Sequence, residues 1–146
     1  MPSFSHGRNA KLYVDNADAA ACTNVSGDLN SIVLTFTRDN PDVTTLGQDT
    51  HQRIAGLRDF ALTGAYVWNA AETAGSGMPQ ILDALLVASM VTRIQYAPAG
   101  SITGCPLYTA CMLVNSHTHT AGVNAPVVGT WAMHIASGAL TTGSCV

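Results

Sequence analysis

Two stretches decide the fold: residues 29–38, LNSIVLTFTR, and residues 58–68, RDFALTGAYVW. In the first, Ile32, Leu34 and Phe36 point one way, and Ser31, Val33, Thr35 and Thr37 point the other. In the second, Phe60, Leu62, Gly64, Tyr66 and Trp68 share one face, and Ala61, Thr63, Ala65 and Val67 share the opposite one. A period of two with β-branched and aromatic residues is the pattern of a strand with one buried face. A sheet built from both has one bulky face for a core and one smooth, small, uncharged face.

Between them lies DNPDVTTLGQDTHQRIAGL, residues 39–57, with an Asn-Pro step, two glycines and no sustained period. A connection of this length is uncommon inside a compact domain and is often functional. It carries much of the chain's charge, and a short strand is expected around Val43–Leu46. Its candidate ion-pairing residues are Asp39, Asp42, Asp49, Arg53 and Arg58.

Working outward, AKLYVD (10–15) reads as a first short strand, with a turn in NADAA after it. Past the second key strand, AAETAGSG breaks the pattern. Pro79, following Ser76, opens a helix over about 79–90. Its stripe of Ile81, Leu82, Leu85, Leu86 and Met90 suits packing on a sheet, with Asp83 on the other side. TRIQYAP, LYTACMLVN (107–115) and VVGTWAMHIAS read as further strands, and both faces of 107–115 are apolar enough to be buried. No repeat or linker appears, so one domain over 1–146 is expected. Its class is mainly β: an antiparallel β-sandwich or barrel with one flanking α-helix and the long loop at 39–57.

The 146 residues have a net charge of −3. Only 10% are charged, against roughly 25% in a typical soluble domain. Residues 1–59 hold 12 of the 15 charges, and the 53 residues from Ile94 to Val146 hold none. High apolar content argues against disorder, and the shortage of cations argues against a grip on nucleic acid. No apolar run approaches the roughly 20 residues of a membrane-spanning helix, and the N-terminus shows no secretory signal pattern. A surface this poor in charge fits either a Thr/Ser/Asn coat or coverage by neighbours.

Cys22, Cys105, Cys111 and Cys145 show no metal-ligand spacing and are read as reduced, small hydrophobes. His117 and His119 place two imidazoles on one strand face with no carboxylate near them in sequence, so no metal site is expected. No phosphate loop and no nucleophile elbow is present. No catalytic residue, enzyme activity or cofactor is expected.

Several motifs taken together resemble the tail tube proteins of long-tailed bacteriophages. They are HGRNAKLY at 6–13, LNSIVL at 29–34, TTLG (Thr44, Thr45, Leu46, Gly47), IAGLRDFALTG at 54–64 and the closing GTWAMHIASGAL at 129–140. The resemblance implies a β-sandwich with a flanking helix, hexameric rings and a hollow tube of stacked rings in the virion tail, assembled in the host cytoplasm. It implies that the 39–57 loop reaches neighbouring subunits or rings. The partners it implies are further copies of the chain, a tape-measure protein, tail terminator and baseplate components, and phage DNA passing through the lumen without specific binding. No membrane is involved. The candidate lumen-facing residues are Ser31, Val33, Thr35, Thr37, Ala61, Thr63, Ala65 and Val67, since a DNA channel is best served by a lining without cations.

Two alternatives stand beside this reading. One is another small β-rich virion component, a capsid-decoration or tail-terminator protein. The other is a ligand-binding β-domain presenting Trp68, Trp131, Tyr66 and Tyr96, although core packing accounts for those rings more simply.

Overall fold

A computed structural model describes residues 7–15, 22–68, 77–100 and 106–144, without the side chains of Asp15, Cys22, Pro106 and residues 137–144. The turn read at 16–20, all of the break at 70–77 but Gly77, and two of the cysteines, Cys105 and Cys145, lie outside them. A short 3-10 turn at Gly7–Asn9 precedes strands β1 (Lys11–Asp15), β2 (Cys22–Asn24), β3 (Leu29–Arg38) and β4 (Arg58–Val67). Helix α1 (Met78–Ala88) follows, then β5 (Thr92–Ala97), β6 (Pro106–Thr120) and β7 (Val128–Ser144). All seven strands join one antiparallel sheet in the order β2-β1-β5-β6-β7-β4-β3.

That order dictates the shape. The outermost strands, β2 and β3, are consecutive in sequence, joined only by Val25–Asp28. Laid flat, strands six places apart sit about 29 Å from each other. The chain from Asn24 to Leu29 spans at most about 18 Å. The sheet must therefore curl until its two edges approach, the barrel-like form of the sandwich or barrel expected from the sequence. The connection is tied to both margins: Val25 N donates to the Leu12 carbonyl at 3.0 Å, and Val67 N donates to the Asp28 carbonyl at 2.9 Å. Curling also brings the Phe36 ring of β3 within 5.9 Å of Tyr108 on β6, although two strands lie between them in the sheet.

The inner face holds the core: Leu12, Val14, Phe60, Leu62, Tyr66, Ile94, Met112, Val114, Trp131 and Met133 are all buried. Gly129 makes room for one of these. A Cβ there would lie 2.3 Å from the Tyr66 hydroxyl oxygen and 2.5 Å from the Thr118 carbonyl oxygen. In β6 the structure departs from expectation. Ala110, Met112 and Val114 are buried, but Cys111 and Leu113 are exposed, so only one face is covered. Cys111 is a free thiol on the surface, not a buried hydrophobe. The strand also runs on past Asn115 to Thr120 through a register shift between Val114 and Ser116.

Helix α1 starts one residue before Pro79 and stops at Ala88, short of the expected end, because Ser89 takes a left-handed conformation (φ 50°) that terminates it. Met78, Ile81, Leu82 and Leu85 are buried in the core cluster, while Leu86 and Met90, read as part of the stripe, are exposed. Gly77 at the N-cap offers no side chain to the free N–H groups. A distant residue supplies one: the buried Asp28 carboxylate accepts from Met78 N at 3.1 Å. A carboxylate at a helix N-terminus satisfies a donor and opposes the positive end of the helix dipole. Asp28 thus joins the edge-to-edge connection to the helix. Asp28→Ala is expected to cost about 1–2 kcal/mol of stability, measured by urea denaturation, with an unchanged midpoint contradicting this role.

Candidate functional site

The register of the sheet assembles one continuous outer face. Ser31 pairs with Ala65, Val33 with Thr63 and Thr35 with Ala61 across β3 and β4. Beyond β4, Ala61 pairs with His134, Thr63 with Ala132, Ala65 with Thr130 and Val67 with Val128. On β6, Leu113, Ser116, Thr118 and Thr120 extend the rows, with Thr118 and Thr130 hydroxyls 2.7 Å apart. Directly paired residues point to the same side of a sheet. The eight residues singled out from the two key strands therefore do lie together, and β7 and β6 add as many again. The alternation of Val128, Thr130, Ala132 and His134 was the sequence signal for that extension. No charged side chain interrupts the face from Ser31 to Thr35 or from Ala61 to Val67. Asp59, opposite Thr37, marks its end.

The 39–57 segment is not an unstructured loop but an irregular continuation of the β3–β4 hairpin. Asp39 N donates to the Leu57 carbonyl at 3.0 Å, Gly56 N to the Asp39 carbonyl at 2.7 Å and Ile54 N to the Pro41 carbonyl at 3.2 Å. Asp42 and Arg53 form an isolated bridge, and Val43 N donates to the Gln52 carbonyl at 2.8 Å. The short strand expected at Val43–Leu46 does not form, because the chain turns there: Gln48 N donates to the Thr45 carbonyl at 3.3 Å. Gly47 sits third in that turn with φ 95°, where a glycine is favoured because a side chain is strained.

Asp42 organises the tip. Its Oδ1 accepts from Thr44 N at 2.9 Å and from the Thr44 hydroxyl, and its Oδ2 lies 3.0 Å from His51 Nδ1. The Thr44 hydroxyl oxygen accepts in turn from Gln52 N at 2.9 Å. The Thr44 hydroxyl, then its backbone N–H and then His51 hold the Asp42 carboxyl below its usual value. The remaining charges of the arm are those expected to pair at ring or subunit contacts. Among the described residues, the side chains of Asp39, Asp49, Arg53 and Arg58 have no ion-pair partner. Leu46 and Leu57 stand almost fully in solvent, and Val43 and Ile54 are about half exposed. The arm is ordered by its own hydrogen bonds yet leaves both its charges and its apolar groups uncovered.

The four aromatic residues of the ligand-binding alternative do not form a platform. Tyr66 and Trp131 are buried, Trp68 lies edge-on to His119, and Tyr96 stacks on Tyr108. No group of three or more metal-ligating side chains occurs among the described residues.

No protein-family model matches the sequence, and no curated protein matches it. Solved structures do match its fold. A chain from the tail of an empty gene transfer agent particle, refined with C6 helical symmetry, superposes with a TM-score of 0.78 at 17% identity, covering 97% of this chain and 100% of that one. The SPP1 tail tube subunit superposes at 0.76 with 8% identity, over 96% of this chain and 79% of that one. A chain of the anti-feeding prophage baseplate superposes at 0.71 with 12% identity, over 99% and 97%. This chain therefore has the fold of tail tube proteins, an antiparallel β-sheet structure with one helix.

Because the folded-state value of Asp42 is depressed, its stabilisation of the tip is present above the ordinary carboxylate range and is lost as pH falls through the lowered value. Corrected for intrinsic rates, the protection of amides in residues 42–52 is expected to fall selectively on acidification, and in Asp42→Ala to be low already at neutral pH. Equal protection in variant and parent would contradict this role for the carboxylate.

Proposed function

We propose that this chain is a structural, non-enzymatic virion protein: a tail tube subunit that forms rings, six copies to a ring, stacked into a hollow tube. The observation that carries the reading is the superposition on a gene transfer agent tail chain over 97% of one chain and all of the other. Neither fold has a large part left over for a different task. The proteins resembled come from an assembled tail, a baseplate and a contractile injection system, and a copy of this chain is accordingly its first proposed partner.

Two features of the structure support the detail. The continuous face containing Ser31, Val33, Thr35, Thr37, Ala61, Thr63, Ala65 and Val67 is proposed to line the lumen. It holds no Lys or Arg, so passing phosphates meet no electrostatic grip and release no counterions. The arm at 39–57 is proposed to reach the next subunit or ring. There Asp39, Asp49, Arg53 and Arg58, which have no ion-pair partner among the described residues, find counter-charges, and Leu46 and Leu57 are covered. Edge strand β3 offers an unpaired row of backbone groups, and pairing it with a neighbouring sheet closes the barrel. A tape-measure protein filling the tube before ejection, and terminator and baseplate components at its ends, complete the proposed partners, with DNA in transit.

A terminating ring is the second reading, favoured by a superposition of 0.65 on the tube-terminating cap of the anti-feeding prophage at 11% identity. Electron microscopy of the purified protein separates the two. Stacked tubes are expected; single rings that never stack favour the cap, and a strict monomer at high concentration contradicts both. Gly47→Val is expected to abolish tube formation while changing the stability of the sheet by less than about 1 kcal/mol, since the turn lies outside the core. Thr63→Lys is expected to slow DNA passage through assembled tails, and unchanged ejection kinetics would place that face elsewhere.

A further inference from the structure

A cleft opens beside the connection that draws the two edges of the sheet together. It lies between the 3-10 turn ahead of β1 and the first four residues of β3, and its volume is about 540 Å³. Pockets that hold a bound group run from roughly 300 to 1,000 Å³. The apolar part of the lining is Leu29, Ile32 and Tyr96, all partly buried and packed on the core. The polar part includes Arg8 and Asn30, both exposed. Asn30 is the extra residue of a bulge between Leu29 and Ser31 and has no register partner on β4. Among the described residues, no carboxylate lines the cleft and Arg8 has no ion-pair partner.

The tip of the arm is the converse. Leu46 stands in solvent, and Asp49, three residues on, has no ion-pair partner among the described residues. Asp42, the neighbouring carboxylate, is taken up by Thr44 and His51. The tip therefore offers an apolar side chain and a free anion, where the cleft offers an apolar surface and a free cation.

The two features sit toward opposite ends of β3. The cleft lies beside Leu29–Ile32, and the arm leaves after Arg38. The strand between Ile32 and Arg38 separates them by about 20 Å. The backbone bonds joining Asp39 to Leu57, Pro41 to Ile54 and Val43 to Gln52 then carry the arm on beyond the strand. A tip so held does not reach the cleft of its own chain. We propose that the cleft receives the arm tip of a second copy, with Leu46 on the apolar surface and Asp49 beside Arg8.

This rests on the tube reading and assigns the arm its seat. Donor and acceptor are different surfaces of the subunit, so the contact is head-to-tail, and such contacts close a ring or run on as a filament. The other apolar surface is the end of α1, where Leu86, Val87, Met90 and Val91 are exposed, but the last turn of the helix carries no basic residue to meet Asp49.

The test uses the full chain with Cys111→Ser, under conditions where the parent forms tubes. Thr45→Cys combined with Asn30→Cys is expected to give a ladder of covalently joined copies with a short bis-maleimide, and neither single variant is. A ladder ending at six copies puts the contact within a ring and a longer one puts it between rings; either supports the docking. Thr45→Cys combined with Val87→Cys is expected to give no ladder. The second measurement is the concentration at which tubes form. Arg8→Asp and Asp49→Arg are each expected to raise it about tenfold or more, because like charges then meet. The two together are expected to return it to within about threefold of the parent. This exchange decides the matter if the cysteine pair fails to assemble. Tubes that give no Thr45–Asn30 ladder, a ladder from the Val87 pair instead, or a double charge variant no better than the single ones overturn the docking and leave the tube reading standing. A parent chain that makes neither rings nor tubes overturns both.

Discussion

The constraint on which the structure depends is a short piece of chain. Val25–Asp28 joins the two outermost strands of a seven-stranded sheet. Four residues cannot cross the width of a flat sheet of that size, so the sheet curls and its inner face closes on itself. Everything else is placed by that curl. The bulky sides of β3, β4, β6 and β7 meet the side chains of β1 and β5, and α1 covers part of what remains. Asp28 sits at the junction, its carbonyl bonded to β4 and its carboxylate to the start of α1. One residue thereby fixes the curl and the helix together.

Curling one sheet also sorts the polar groups. Its outer side at β3, β4, β7 and β6 collects small, hydroxyl-bearing and uncharged residues, and the charges gather where β3 and β4 run out into the arm. On the proposed reading this distribution matches the composition: a subunit covered by copies of itself, around a channel that must not hold DNA, needs few charges on its walls and specific ones at its joints. The 53 residues after Arg93 without any charge form β6, β7 and the segments around them, and half of the outer face belongs to those two strands.

Much of the fold was legible in the sequence. The period of two in β3, β4 and β7 named the inward faces, although Phe36 and Trp68, read on the bulky side, stand exposed at their ends, and Pro79 with the apolar stripe located the helix. What stayed hidden has physical causes. β2 is three residues long, too short to show a period. The bulge after Val114 reverses the parity of β6, so a simple alternation could not assign His117 to the inner side. The partners of His117 and of Met78 lie 34 or more residues away in sequence, and spacing carries no record of such contacts. The arm looked structureless because its hydrogen bonds are irregular and interrupted, with Pro41 contributing only an acceptor. For the candidate site the balance is similar. The eight residues of the smooth face were readable from alternation alone, whereas the Asp42–Thr44–His51 cluster at the arm tip has no distinctive spacing.

The proposal that this face is the wall of a tube is tested most directly by labelling assembled polymers of Thr63→Cys, with Cys111→Ser to remove the exposed native thiol. A small maleimide and one attached to a large polymer are compared along the length of intact tubes. Reaction with the small reagent and exclusion of the large one, reversed on disassembly, is the result expected of a lumen. Equal reaction with both in intact tubes would put the face on the outside and contradict the account.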